Sequence, residues 1–148
     1  MLLICTLFSR VPPRLLYGRN GAATKGGLVL AGLLFVLSYL FWRLPGVSEA
    51  AYDLLPVDVI GGGIVVLLLL AAAHAYLNDG LIVSWLLVFG SLLGATLNRV
   101  GVGLTSSDPL AVLALSVGLP LGGAVIIGTS GHLVGVGLRV LIRAAAVD

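Results

Sequence analysis

Two long apolar runs meet head to tail at Asn78-Asp79-Gly80, and no other feature of the chain limits its fold so strongly. The run from Val57 to Leu77 carries a carboxylate near its start, Asp58, and an imidazole near its end, His74; the run from Gly80 to Leu97 carries neither charge nor imidazole. A helix rises about 1.5 Å per residue, so crossing a hydrocarbon layer of about 30 Å takes about 20 residues. Both runs come close to that length, and the short turn leaves no room for a domain between them. Val57 to Asn98 therefore reads as a transmembrane helical hairpin, the central element of an all-α, polytopic helical bundle.

Hydrophobic residues make up 59% of the chain and charged residues 9%, against about 25% charged residues in an average soluble domain. The lipid bilayer is thus the first partner the composition implies. Helix contacts in lipid rest on close packing and hydrogen bonds, so small residues should mark them. The net charge of +2 comes from eight basic residues scattered between apolar spans. They form no groove-tracking patch, and no nucleic acid partner is expected. Cys5 is the single cysteine, which excludes an intrachain disulfide and a cysteine-cluster metal site. Two histidines from separate segments make no metal site, and no glycine-rich loop joins a strand to a helix, so no cofactor is expected.

Residues 1–26 read as a cytoplasmic or interfacial N-terminal segment. From Leu2 to Tyr17 apolar residues mix with Arg10 and Arg14, and Pro12-Pro13 forbids a continuous helix. The transmembrane domain is expected over 27–142. Its first span, Gly27 to Trp42 with snorkelling toward Lys25, ends in Tyr39, Phe41 and Trp42, side chains suited to a membrane interface. Leu44 to Pro56 reads as a loop. Asp58 falls in the first turn of the second span, where a carboxylate suits the helix N-terminus. Arg99 to Asp108 reads as a connector ending in Ser106-Ser107-Asp108-Pro109, an N-cap with proline at the first helical position. Pro120 predicts a kink near Gly118 to Gly123, and Gly128-Thr-Ser-Gly131 a further bend or interruption. Residues 109–142 fit one kinked helix, a span plus a surface helix, or two spans; four spans in total are favoured over five. Residues 143–148 form a tail. With four spans, Arg10, Arg14, Arg19, Lys25, Arg139 and Arg143 face Arg43 and Arg99 across the bilayer. That bias puts both termini in the cytoplasm of a cell-membrane protein, with Asp79 at the cytoplasmic turn.

Gly90 and Gly94, Gly118 and Gly122, and Gly131 and Gly135 each place small residues one helical turn apart, a spacing that lets backbones approach. Such faces pack helices within the chain or against a second copy in a homo-oligomer or larger membrane complex. Gly128-Thr-Ser130-Gly131 resembles the Gly-x-Ser-Gly element of rhomboid intramembrane proteases, and His74-x-x-x-Asn78 is similar to their oxyanion-side His/Asn pair. The resemblance stops there, because the serine of that family takes its base from a histidine on a later helix and no histidine follows His132. His74 lies one turn from a helix end, where hydrogen bonding to Asn78 at i+4 or to headgroup water is expected; a role shared with His132 or Asp79 is the alternative. Ser84, Ser91, Thr96, Thr129 and Ser130 are expected to bond within or between helices.

These features favour a non-enzymatic structural or accessory membrane component, with an oligomeric small-solute channel or transporter second and a membrane enzyme third. The topology has a direct check. Reporter tags at Asp148 and at Glu49 should lie on opposite sides of the membrane, whereas the same side for both requires five spans.

Overall fold

A computed structural model describes residues 16–55, 58–103 and 109–146, with side chains described except at 99–103 and 109. The expectations for Leu2 to Arg14 and for the Ser106-Ser107-Asp108 cap lie outside the described residues. Five helices follow one another among the residues described: α1 (Gly21–Arg43), α2 (Val47–Leu54), α3 (Val59–Asn78), α4 (Leu81–Gly103) and α5 (Pro109–Ala145). There is no strand among them, and α1, α3, α4 and α5 are each long and apolar enough to cross a membrane. The chain is an all-α helical bundle with the make-up of a small multi-pass membrane protein.

Local chemistry explains three departures from the expected boundaries. First, α1 starts at Gly21, ahead of Gly27, because the Asn20 side chain accepts from the Ala22 N–H and caps the helix there. Second, the expected loop after Arg43 contains α2, entered through Gly46 at φ 79°, a left-handed conformation that glycine adopts without strain. Third, Asp58 stands just before α3 as its N-cap, with its carboxylate accepting from Gly61 N at 2.7 Å and Ile60 N at 3.3 Å. Those bonds satisfy two of the donors that a helix start leaves open.

Of the arrangements open to residues 109–142, the structure has a single helix, α5. It runs unbroken through both Pro120 and the Gly128–Gly131 stretch for 37 residues, about 55 Å at the usual rise and longer than the hydrocarbon layer alone. Proline removes the N–H that would bond the carbonyl four residues back, here Ser116. That carbonyl instead lies 3.1 Å from the Thr96 hydroxyl of α4, whose single proton is shared with Leu92 O and Leu93 O of its own helix. A neighbouring helix thus covers the acceptor that Pro120 frees, the remedy expected in lipid. Pro120 itself is fully buried. Three of the glycines after it, Gly128, Gly131 and Gly135, serve contact. A Cβ at Gly128 would stand 3.0 Å from Trp85 Cα, one at Gly131 2.8 Å from Leu68 O, and one at Gly135 2.9 Å from Tyr76 N.

In the bundle, α4 packs along α1 on one side and α5 on the other, while α3 packs mainly along α5. The core cluster is Leu67, Ala71, Val88 and Ala124, with Leu34, Leu92 and Ile127 against it. Gly90 and Gly94 form the α4 face toward α1: a Cβ at Gly90 would lie 2.5 Å from Ala31 O, and one at Gly94 2.9 Å from Tyr39 N. Asn98 adds a hydrogen bond to Tyr39 O at 2.8 Å farther along the same seam. Gly118 and Gly122 differ, since a Cβ at either would meet nothing within 4 Å. Overpacking a close contact costs about 1–3 kcal/mol. Gly94→Leu should therefore lower the stability read from thermal unfolding in detergent by that amount, and Gly122→Leu should leave it within about 0.5 kcal/mol of wild type; equal effects would mean that the α1–α4 seam does not form.

Candidate functional site

Two of the buried polar residues, Asn78 and Asp79, form the hairpin turn itself. Asn78 ends α3 and is completely buried. Asp79 follows at φ 61°, a left-handed conformation that aspartate tolerates better than most residues, and its N–H donates to Ala75 O at 3.0 Å. The chain entering α1 crosses this turn. The Arg19 N–H donates to Asn78 O at 2.9 Å, and the Asn20 N–H to Asn78 Oδ1 at 2.7 Å. Asn78 Nδ2 donates to the Thr24 hydroxyl at 3.0 Å, which donates onward to Tyr17 O at 2.6 Å. Gly18 permits the crossing: its φ is 94°, and a Cβ there would lie 2.6 Å from Asn78 O. One buried amide side chain therefore ties the start of α1 to the end of α3.

Asp79 ties in α5. Its Oδ2 lies 2.9 Å from Arg19 Nε, and its Oδ1 pairs with Arg139 Nη2, while Arg139 Nη1 donates to Tyr76 O at 3.2 Å. The Asp79 and Arg139 side chains are only 11% and 12% exposed, against 43% for Arg19. The carboxylate thus sits between a shielded guanidinium and a half-open one. A buried charge is tolerable when paired and hydrogen-bonded in this way.

The histidines lie just inside the turn. His74 projects into space left by two glycines: a Cβ at Gly27 would meet its Cε1 at 2.9 Å, and one at Gly80 its Nε2 at 3.2 Å. The expected bond from His74 to Asn78 is absent, because the Asn78 amide is engaged by Asn20 and Thr24. His74 Nε2 is buried without a partner, and so is Nδ1 of His132. An unpartnered buried polar atom costs about 1–3 kcal/mol, so two in one neighbourhood mark it as a place with spare hydrogen-bonding capacity.

Other expected residues are placed differently. Ser130 is exposed and its hydroxyl donates to Ile126 O of its own helix at 2.8 Å, with no hydrogen bond to the buried His132. Ser84 bonds toward Gly80 O and Ala71 O, and Thr129 accepts from the Trp85 indole at 3.0 Å, joining α4 to α5. Ser91 lines a cavity between α1, α3 and α4. No group of three or more His, Cys, Asp or Glu placed to hold a metal occurs among the described residues. Asn20, Thr24, Arg19 and Arg139 were not singled out by the sequence as partners of the turn. A signal existed for the arginines, because Asp79 and the terminal Asp148 are the two acids expected on the strongly basic side, and only Asp79 lies at a helix turn. No family model matches the chain, and neither a curated protein nor a solved structure does.

Removing one member of a shielded ion pair leaves the other uncompensated, at about 3–5 kcal/mol. Asp79→Ala should destabilise the protein by that order in thermal unfolding, and Arg19→Ala by less than about 1 kcal/mol. Adding Arg139→Ala to Asp79→Ala should recover part of the loss; simple additivity would mean that the two side chains do not interact.

Proposed function

We propose that this protein is a non-enzymatic structural or accessory component of the cell membrane, working within a larger membrane complex or a homo-oligomer. The observation that carries this reading is the use made of its buried polar side chains. Asn78, Asp79, Thr24 and Arg139 bond to one another and to backbone, fastening three helices at one end. Away from that end, helices meet through glycines set against backbone. A chain so arranged holds its own shape and presents apolar faces to its surroundings. Large exposed hydrophobic residues cover the outside, among them Leu69, Ile126 and Leu141. The proposed orientation places the Asp79 end in the cytoplasm, since Arg19, Arg139 and Arg143 lie toward it and basic residues favour that side. Four spans then put both termini there as well.

The second reading is an oligomeric channel or transporter for a small solute. It is supported by His74 Nε2 and His132 Nδ1, buried nitrogens free to bind something polar. An enzyme built on Ser130 has weaker support, because the Ser130 hydroxyl is turned back to its own helix. Purified protein in liposomes holding an interior pH dye separates the first two. The accessory reading expects proton flux no greater than in empty liposomes. Flux above that level, abolished by His74→Ala, would replace it with the transporter.

A further inference from the structure

Fastening α1 to α3 at one end leaves them apart at the other. Near the turn the two helices touch through Asn20 and Asn78 and through Gly27 and His74. Toward the end of α1 and the start of α3 they make almost no contact, and a cavity of about 530 Å³ separates them. Leu37 and Phe41 form one wall, Ile60 and Gly63 the other, and Ser91 and Leu92 of α4 the floor. No residue of α2 or α5 lines it, so the side opposite α4 opens to the surroundings. Apart from Ser38 and Ser91, its lining is apolar or glycine. Leu37 is 62% exposed there, with no protein neighbour to cover it.

The dimensions select the occupant. From Trp42 to Leu34 on α1, and from Val59 to Leu67 on α3, the lining covers about 12 Å of helix at the usual rise. Half of a hydrocarbon layer is about 15 Å. The groove opens at the helix ends that meet the membrane surface and closes near the bilayer midplane, where Leu34, Leu67 and Leu92 enter the core cluster. A spanning helix of a second copy would have to continue through both leaflets. Here it would run into the Gly27–His74 contact and lose its seat over half its length. A hydrocarbon tail that begins at the surface and ends at the midplane has the right chemistry and the right reach.

We propose that this groove binds one acyl tail of a lipid from the leaflet at the Trp42 end, held by its chain and not by its headgroup. The site rests on the four helices spanning a bilayer and is independent of the accessory role proposed above. Gly63 gives access to it experimentally, because a Cβ there would meet nothing within 4 Å and a larger side chain would extend into open space.

The test uses full-length protein, delipidated in detergent and titrated with dipalmitoyl phosphatidylglycerol, with bound lipid counted by native mass spectrometry. Wild type and Gly122→Phe should each retain one lipid per chain, and Gly63→Phe should weaken binding by about tenfold or more. Palmitate should compete and glycerol 3-phosphate should not. Equal binding by wild type and Gly63→Phe overturns the proposal, as does competition by glycerol 3-phosphate alone, which would assign the binding to a headgroup site. A lipid-free dimer that Gly63→Phe dissociates would assign the groove to a second copy. If Gly63→Phe shows no cooperative melt, Ser91→Leu on the floor takes its place with the same expected loss and the same overturning results.

Discussion

The Asp79 carboxylate, held between Arg19 and Arg139, is the interaction on which the rest of the bundle depends. It sits at the turn of the hairpin, so one side of the pair is fixed by α3 and α4 together. The other side brings in the chain entering α1 and the last turns of α5. Asn78, the residue before it, repeats the connection with uncharged bonds. Between them, two adjacent side chains join every long helix at a single level. Charges are expensive in a membrane unless they are paired or near its surface, and this pair is both shielded and placed at helix ends.

That arrangement makes the bundle asymmetric along its axis. The Asp79 end is closed by hydrogen bonds and ion pairs, whereas the opposite half has Asn98 on Tyr39 O and Thr96 near Ser116 O. Both of those bonds involve α4. Between α1 and α3 no comparable bond is present among the described residues, and the helices part around the apolar groove. The separation follows from where the polar side chains lie, since water-driven burial does not draw helices together in lipid. Where neither glycine faces nor hydrogen bonds join α1 and α3, an apolar groove is left between them.

Much of this was legible in the sequence and some of it was not, for identifiable reasons. The hairpin turn and the number of long helices follow from apolar runs measured against a bilayer, a constraint that acts on every residue of the run. The start of α1 depended on one side chain, Asn20, whose capping role looks the same in sequence as that of any polar loop residue. Pro120 predicted a kink because local rules count the lost N–H bond, and the group that covers the freed carbonyl, Thr96, lies on another helix. Gly90 and Gly94 have the same spacing as Gly118 and Gly122, yet one pair touches backbone and the other meets open space. Spacing states that a close approach is possible; which helix arrives is decided by the whole bundle.

The histidines illustrate the same limit at the site itself. At i+4, His74 and Asn78 are natural partners on an isolated helix. In the bundle, Asn78 faces the α1 entry, where its side-chain oxygen accepts from the Asn20 N–H and its Nδ2 donates to the Thr24 hydroxyl. Those two bonds join separate segments, so they contribute to the fold in a way that a local His74–Asn78 bond does not. His74 is left to fill the space between Gly27 and Gly80 by shape. Its unpartnered nitrogen then goes with the tying of α1 to α3 by its neighbour. Structural closure and an imidazole nitrogen without a partner at this end of the bundle thus arise from the same assignment of one amide side chain.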